Sequence, residues 1–285
     1  MLYLSSFTFP GWDREYSYRL NNVKRTCYNT MYPFFVLSAR AFSRIDFEPV
    51  TILYGGNGSG KTTALNVIAE KLGLNRTSLY NRSDFFEEYI KMCSCSREKG
   101  LNGEIITSDD VFDYMLSVRG VNMGVDARRE ELFEEYINLK REKSEVRSLE
   151  DFERLKKIVS ARRNTQSEYV RQHLVQNVRE RSNGESAFAY FTQKIKSDAL
   201  YLLDEPENSL SVQLQKQLAT FLQDSARFYG CQLVIATHSP FILAMRGAKI
   251  YDLDADPVDV KPWTELKNVR EWYEFFKENS DKFKD

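Results

Sequence analysis

The glycines of this chain are placed unevenly, and their placement constrains the fold more than any other feature of the sequence. Four of the 13 glycines fall within six residues, at Gly55, Gly56, Gly58 and Gly60. An apolar, β-branched run precedes them, and apolar residues recur at helical spacing after them. Clustered glycines let backbone amides converge on an anion, and a helix N-terminus adds its dipole. The segment therefore predicts a buried strand, an anion-binding turn and a helix.

The turn matches the pattern G-x-x-x-x-G-K-[ST] in full, between a predicted strand and a predicted helix as that pattern requires. Lys61 would place its charge on the β- and γ-phosphates of a nucleotide, and the Thr62 hydroxyl would coordinate Mg²⁺. The predicted nucleotide-binding residues here are Gly55, Gly56, Asn57, Gly58, Ser59, Gly60, Lys61, Thr62 and Thr63.

Two further strand-like runs end in polar side chains. An apolar run leads directly into Asp204, which would deliver a second metal ligand to the carboxyl edge of the sheet. Glu205 follows and is placed to act as general base on an attacking water. Another run leads to His238, one of only two histidines, placed to hydrogen-bond a γ-phosphate. The predicted catalytic residues are thus Glu205, His238 and Lys61, and the predicted metal ligands are Thr62 and Asp204.

Strand-like and helix-like segments alternate along the chain. The first 54 residues read as strands, and the predicted strands are 34–37, 50–54, 103–106, 199–203, 232–236 and 249–253. The predicted helices outside the charged segment below are 61–72, 84–92 and 211–229. This alternation predicts an α/β fold with a mostly parallel sheet covered by helices. With the G-x-x-x-x-G-K-[ST] turn between a strand and a helix, we expect the fold of a P-loop NTPase.

Residues 127–181 carry dense charge on a helical period. Capping boxes that begin at Ser148 and Thr165 indicate two new helix starts, so we expect a short bundle rather than one continuous coiled-coil arm. A chain of 285 residues lies near the size at which one core stops growing. We therefore expect a single domain over 1–285, with a helical insertion at about 75–181.

Charge and cysteine content disfavour several classes of protein. With 40 Lys and Arg against 41 Asp and Glu, the net charge is −1, so only a local basic patch would bind a polyanion. Four cysteines are too few for a disulfide framework. No segment approaches the roughly 18 apolar residues of a membrane span, and the N-terminus lacks the pattern of a signal peptide. We expect a cytoplasmic protein and no membrane association.

The order of these motifs resembles the ATP-binding-cassette (ABC) class of P-loop ATPases. The segment Arg181-Ser182-Asn183-Gly184-Glu185-Ser186 looks like the signature of that class. The resemblance implies ATP as the nucleotide and an ATP-sandwiched homodimer, in which Ser182 and Gly184 complete the site of the other copy. Where the class has a glutamine loop, this chain has Asp109 or Asp110.

Within that class, residues 41–55 resemble the approach to the phosphate loop in RecF-like repair and SMC-type chromosome-maintenance ATPases. The segments 204–210 and 237–240 resemble small stand-alone members, often labelled AAA-family ATPases, and the ATPase part of OLD-type nucleases. The resemblance implies a nucleotide-driven switch in DNA repair or phage defence, with the effector or nuclease encoded separately.

Two alternatives stay open for the output of such an ATPase. The first is a DNA-clamping machine that grips nucleic acid with its own helical insert. The second is the energy-coupling subunit of an ABC membrane transporter. The insert cations that favour the first are Arg128, Arg129, Lys140, Arg141, Lys143, Arg162 and Arg163.

Two other patterns are interpreted as structural. Asp252, Asp254 and Asp256 alternate near a strand end and are interpreted as solvated acids. Near the C-terminus, aromatic residues share one face of a predicted helix, and we expect this face to pack on the protein's own body rather than on a partner. Those aromatic residues are Trp272, Tyr273, Phe275 and Phe276.

Overall fold

The computed structural model describes residues 2–23, 30–142, 149–174 and 182–283. The chain divides into two compact units. The larger unit comprises Met1–Phe112 and Asn183–Asp285, and the helical unit comprises Asp113–Ser182. Residues 75–112, which were expected within the helical insertion, fold with the larger unit. A single domain over 1–285 stays a prediction.

Strands in the described part of the chain form a three-stranded and a six-stranded sheet. They are β1 Leu4–Thr8, β2 Arg44–Asp46, β3 Val50–Tyr54, β4 Ser94–Arg97, β5 Gly103–Thr107, β6 Leu200–Asp204, β7 Gln232–Ala236, β8 Lys249–Asp252 and β9 Asp259–Val260. The small sheet has the order β2-β1-β4 and is antiparallel. The large sheet has the order β5-β6-β7-β3-β8-β9, and only its β8-β9 pair is antiparallel.

The helices separate the strands and cover them. They are α1 Trp12–Asn22, α2 Lys61–Leu72, α3 Phe86–Met92, α4 Ser108–Arg141, α5 Leu149–Arg163, α6 Gln166–His173, α7 Asn183–Lys194, α8 Val212–Phe228, α9 Pro240–Leu243 and α10 Lys267–Glu278. The strands β3, β6 and β7 are buried at every position, as expected of a sheet covered on both faces. None of the described helices has the length and apolar character that a membrane span requires. The predicted α/β fold is confirmed.

The carboxyl ends of β3, β6 and β7 lie side by side. In the register of the large sheet, Leu53 and Asp204 both pair with Ala236 of the central strand β7. The residues that follow these three strands therefore meet at one edge of the sheet. This edge brings together the segments that the sequence predicts as functional.

The N-terminal region differs from the prediction that its first 54 residues are strands. Residues 12–22 form α1, and residues 34–37 form a turn, so the predicted strand at 34–37 is wrong. The fully buried carboxylate of Glu15 accepts hydrogen bonds from the Phe35 amide and, at 2.8 Å, from the Ser38 hydroxyl. A tertiary contact thus holds this apolar run as a turn, against the local preference for a strand.

Residues of α4, α5 and α6 form a core of their own in the helical unit, as predicted for a bundle, although α4 is 34 residues long. That core contains Leu132, Tyr136, Leu139, Ile158, Ala161, Tyr169 and Val170. The capping box at the start of α6 is confirmed, because the Thr165 side chain accepts from the Glu168 amide and the Glu168 carboxylate accepts from the Thr165 amide. The box predicted at Ser148 lies outside the described residues.

The aromatic face of α10 does not pack on the protein's own body, so that expectation is wrong. No residue of α10 is buried. Its four aromatic side chains, Trp272, Tyr273, Phe275 and Phe276, are each more than half exposed. A helix with an apolar stripe ordinarily buries that stripe, and this one presents it on the surface of the larger unit.

Candidate active site

The phosphate loop connects β3 to α2 as the sequence predicts. Gly60 is the N-cap of α2 and has φ 98°, a left-handed conformation that favours glycine. A Cβ on Gly60 would lie 2.9 Å from Leu37 Cδ2, so the neighbouring turn also requires a residue without a side chain. The first amide groups of a helix have no partner within the helix. Those of α2 therefore face the loop and make it suited to an anion.

Lys61 lies inside this loop rather than in solvent. Its Nζ donates to the carbonyl oxygens of Gly55, at 2.7 Å, and Gly56, at 3.1 Å. Nζ also lies 3.7 Å from Glu205 Oε1, and the Lys61 side chain is only 4 % exposed. The ammonium group is thus held at the mouth of the amide cradle, next to the residue predicted as general base.

Thr62 and Asp204 meet at the same edge. The Thr62 hydroxyl donates to Asp204 Oδ1 at 3.1 Å, across 142 residues of sequence. Burial is the main cause that raises the pKa of Asp204 to about 6; the hydrogen bond from Thr62 opposes this shift, and the charge of Glu205 adds to it. A buried carboxylate beside a hydroxyl is stabilised by a nearby cation. These two oxygens fit the hard ligands that Mg²⁺ prefers when it also binds nucleotide phosphates.

Glu205 adopts φ 48°, which costs free energy for a residue with a side chain. Its amide donates to the Ala236 carbonyl at 2.8 Å, and its Oε2 accepts from the Asn208 amide group at 3.2 Å. Its Oε1 lies 4.0 Å from His238 Nδ1. The side chains of Lys61, Glu205 and His238 therefore converge, as predicted.

A cavity of about 400 Å³ adjoins Thr62 and Asp204. Its wall includes Thr63, whose hydroxyl accepts from the Tyr32 hydroxyl at 3.3 Å, and Asp109. Asp110 instead turns back, and its Oδ2 accepts from the Thr107 amide at 2.7 Å. Of the two acids that stand where a glutamine loop is expected, Asp109 lines the cavity and Asp110 caps the chain before α4.

The predicted signature lies at a helix start. Gly184 is in the first turn of α7, and Ser182 directly precedes that helix. A Cβ on Gly184 would lie 2.8 Å from Leu214 Cδ1 and 3.2 Å from the Ser209 carbonyl oxygen, so the backbones approach closely here. Arg181 lies outside the described residues.

Two acids at this edge were missed as site residues by sequence reasoning. Asp254 is exposed, as interpreted, but its Oδ2 also accepts from the Gly56 amide of the phosphate loop at 2.8 Å. Asp252 is buried and pairs with Lys261 at 2.7 Å, so its interpretation as a solvated acid is wrong. Glu207 accepts three hydrogen bonds from the loop that carries His238. The local alternation of acids does not reveal this contact of Asp254, because its partner is 198 residues away. Glu207 has one weak signal, a third acid close behind Asp204 and Glu205.

Residues 126–244 match the family described as "AAA domain, putative AbiEii toxin, Type IV TA system". The match spans under half of the chain; it includes the predicted signature, Asp204, Glu205 and His238, and ends before the C-terminal strands. The phosphate loop lies outside it. No curated protein sequence matches the chain at a significant level.

Solved structures with similarity include the Smc head domain of Pyrococcus furiosus, with an extended coiled coil and bound to the C-terminal domain of ScpA. That likeness has a TM-score of 0.39 and 13 % identity, and covers 82 % of this chain and 94 % of that one. An ATP-binding cassette in a dimeric post-hydrolysis state, bound to ADP and Pi, has a TM-score of 0.36 and 15 % identity, and covers 76 % of this chain and 88 % of that one.

The phosphate loop, the strand that ends in Asp204 and Glu205, and the loop of His238 meet at one sheet edge, in the order of elements found in the ABC class. The family match covers the second and third of these elements. The chain thus has the site elements of a P-loop ATPase, and residues 126–244 are similar to the AAA-domain family.

Proposed function

We propose that two copies of this ATPase close on two ATP·Mg²⁺ and reopen after hydrolysis, as a nucleotide-driven switch in the cytoplasm. The observation that carries the proposal is the contact of Thr62 with Asp204 at 3.1 Å, beside the convergent side chains of Lys61, Glu205 and His238. Binding, metal and proton-accepting groups thus occupy one edge of one sheet.

Each residue has a defined task in hydrolysis. Lys61 and the amides of 55–63 would bind the phosphates, and Thr62 and Asp204 would hold Mg²⁺. When bound, Mg²⁺ neutralises charge that develops on the phosphate oxygens. Water adds to the γ-phosphorus as the bond from that phosphorus to the ADP oxygen breaks, and Glu205 accepts the proton that the water loses. His238 hydrogen-bonds the γ-phosphate and so distinguishes ATP from ADP.

The start of α7 is the part of each copy that would contact the nucleotide bound by the other copy. Ser182 and Gly184 stand at a helix N-terminus, which favours an anionic group. The resemblance to the ABC class supports binding of the γ-phosphate of the other copy there. One copy alone would therefore hold an incomplete site.

A mixing experiment tests this arrangement. Lys61→Ala should remove nucleotide binding from one copy and Ser182→Arg should block the signature of the other, so each variant alone should hydrolyse ATP very slowly. A mixture should regain part of the wild-type rate, because each mixed dimer has one intact phosphate loop facing one intact signature. Failure of the mixture to regain activity, with both proteins folded, would contradict the sandwich.

For the output of the switch, we favour a separately encoded effector or nuclease in DNA repair or phage defence. The description of the matching family names a toxin of a toxin–antitoxin system. This description supports a role linked to an effector. Purification of the Glu205→Gln variant in ATP, compared with the same variant in ADP, should retain that effector only with ATP. A transmembrane protein retained in its place would instead support the transporter alternative.

The DNA-clamping alternative depends on cations of the helical unit. Several of them already face acids: Arg128 lies 2.6 Å from Glu131, and Lys157 lies 2.8 Å from Glu135. Arg129 likewise pairs with Asp126. Phosphate contacts would have to displace these acids, which makes the clamp the weaker candidate. ATP-dependent DNA binding that falls steeply with salt would reverse this order.

A further inference from the structure

The loop that carries His238 is anchored by a carboxylate that the proposed hydrolysis does not use. Glu207 Oε1 accepts from the Thr237 hydroxyl at 2.6 Å, from the His238 amide at 2.9 Å and from the Ser239 amide at 3.1 Å. Glu207 is only 5 % exposed. Three donors from three consecutive residues thus converge on one buried oxygen.

This carboxylate also faces the His238 ring. Glu207 Oε1 lies 3.6 Å from His238 Nδ1, closer than the 4.0 Å between that nitrogen and Glu205 Oε1. The second oxygen, Oε2, is buried and has no hydrogen-bond partner among the described residues. A buried carboxylate oxygen without a partner is costly, so packing alone does not account for a glutamate at this position.

Glu207 belongs to a turn, residues 205–210, that also contacts α7. The Asn208 amide donates to the Glu205 carbonyl at 3.1 Å, and the Leu210 amide donates to the Glu207 carbonyl at 3.0 Å, so residues 205–210 form a hydrogen-bonded turn. The Ser209 carbonyl oxygen in this turn lies 3.2 Å from where a Cβ of Gly184 would stand. The turn therefore contacts the His238 loop at one end and the start of α7 at the other.

Gln215 of α8 links the end of turn 205–210 to the loop that carries His238. Its Nε2 donates to the Leu210 carbonyl at 3.0 Å, and its Oε1 accepts from the Ser239 hydroxyl at 2.8 Å. The His238 loop is thus held from two sides, by Glu207 and by Gln215. Motion of the loop requires both contacts to change.

We propose that Glu207 is a positioning residue of the ATPase, which holds residues 237–239 so that His238 faces the γ-phosphate and which ties this loop through turn 205–210 to the start of α7. The inference rests on the proposed role of His238 in hydrolysis. A carboxylate oxygen suits the task because it accepts hydrogen bonds, and the three groups that hydrogen-bond to Oε1 are all donors.

Glu207→Gln keeps the size of the side chain but replaces one oxygen with an amide donor. We expect kcat to fall about 100-fold, as for a misplaced catalytic group. The Kd for ATP should stay within a few-fold of the wild-type value, because the phosphate loop is untouched. A purely structural role would change the melting temperature without this separation of kcat from ATP binding.

The double variant Glu207→Gln with His238→Ala separates action through the loop from direct action. If Glu207 acts through His238, the double variant should be no slower than His238→Ala alone. Additive losses, or a Glu207→Gln variant with wild-type kcat, would overturn the inference.

Glu205→Gln gives an independent check on the proposed function. If Glu205→Gln fails to hydrolyse ATP while Glu207→Gln is unimpaired, only the inference about Glu207 fails. If Glu205→Gln hydrolyses ATP normally, the proposed function fails.

Two variants of Thr237 test the same inference if Glu207→Gln does not fold. Thr237→Val keeps the shape of the side chain and removes one donor to Glu207, whereas Thr237→Ser keeps that donor. The valine variant should show a kcat several-fold below that of the serine variant, at matched melting temperatures. Equal kcat values for the two variants would overturn the inference.

Discussion

Charged side chains are used in opposite ways at the sheet edge and in the helical unit. At the edge, Lys61, Asp204 and Glu207 are at most 8 % exposed. Each contacts a loop that is distant in sequence: Lys61 that of Glu205, Asp204 that of Thr62 and Glu207 that of His238. In the helical unit, pairs such as Arg128 with Glu131 have side chains that are more than half exposed and join neighbours on one helix. Buried charge costs free energy and surface charge costs little. The comparison therefore separates residues held for chemistry from residues held for solubility.

The largest expected effect is loss of nucleotide binding on removal of the buried lysine. Lys61→Ala deletes the ammonium group within the phosphate loop, and we expect ATP affinity to fall about 100-fold or more, as measured by titration calorimetry. Lys157→Ala in the helical unit is the matched control and should bind ATP as the wild type does. Undiminished ATP binding by Lys61→Ala would contradict the assignment of the site.

Asp204→Asn should stabilise the nucleotide-free protein while it abolishes hydrolysis. The pKa of Asp204 is raised to about 6 by burial, from 3.8. Ionisation of Asp204 therefore destabilises the fold progressively as pH rises through this range. We expect the asparagine variant to gain roughly 2 to 3 kcal/mol in its free energy of unfolding above pH 6, and less as pH falls toward 4. Denaturant unfolding across that range measures the gain; a gain independent of pH would be inconsistent with this cause.

Two glycine substitutions should act with opposite signs in the two regions. Gly60→Ala places a Cβ 2.9 Å from Leu37 at φ 98°, so we expect a loss of about 1 to 3 kcal/mol. Gly120, within α4, has no atom within 4 Å of its added Cβ. Gly120→Ala should therefore gain about 1 kcal/mol through helix propensity. Thermal unfolding of both variants measures these changes. Melting temperatures that shift equally and in the same direction would contradict the predicted difference between the two regions.

The smallest effect is expected for the exposed pair in the helical unit. Arg128→Ala breaks the contact with Glu131, but both side chains remain solvated, so we expect no resolvable change in melting temperature or ATPase rate. A marked loss of ATPase activity would show that this surface takes part in the cycle.

The same two regions show what could be predicted from the sequence. The strand–turn–helix arrangement of β3 and α2, the strand β6 and the capping box of α6 follow from patterns within a few residues, and the structure confirms them. The turn at 34–37 was missed because the carboxylate of Glu15, 20 residues from Phe35 in sequence, holds that apolar run. A local apolar pattern does not reveal such a partner.

Missed site residues have the same physical origin. Asp254 reaches the Gly56 amide from the far end of the chain, and Glu207 acts only because the register of β6 and β7 brings it to Thr237. For α10 the aromatic stripe was recognised, but its exposure depends on what the larger unit presents nearby, which no periodicity encodes. Motifs locate the reacting groups, whereas the residues that hold them emerge from the fold.

The ATP-bound dimer is the state on which the proposed mechanism depends most directly. Glu205→Gln should bind ATP·Mg²⁺ without hydrolysing it, because the amide cannot accept the proton from water. Size-exclusion chromatography with light scattering should then show a dimer in ATP and a monomer in ADP. A Glu205→Gln protein that binds ATP and remains monomeric would contradict the sandwich mechanism.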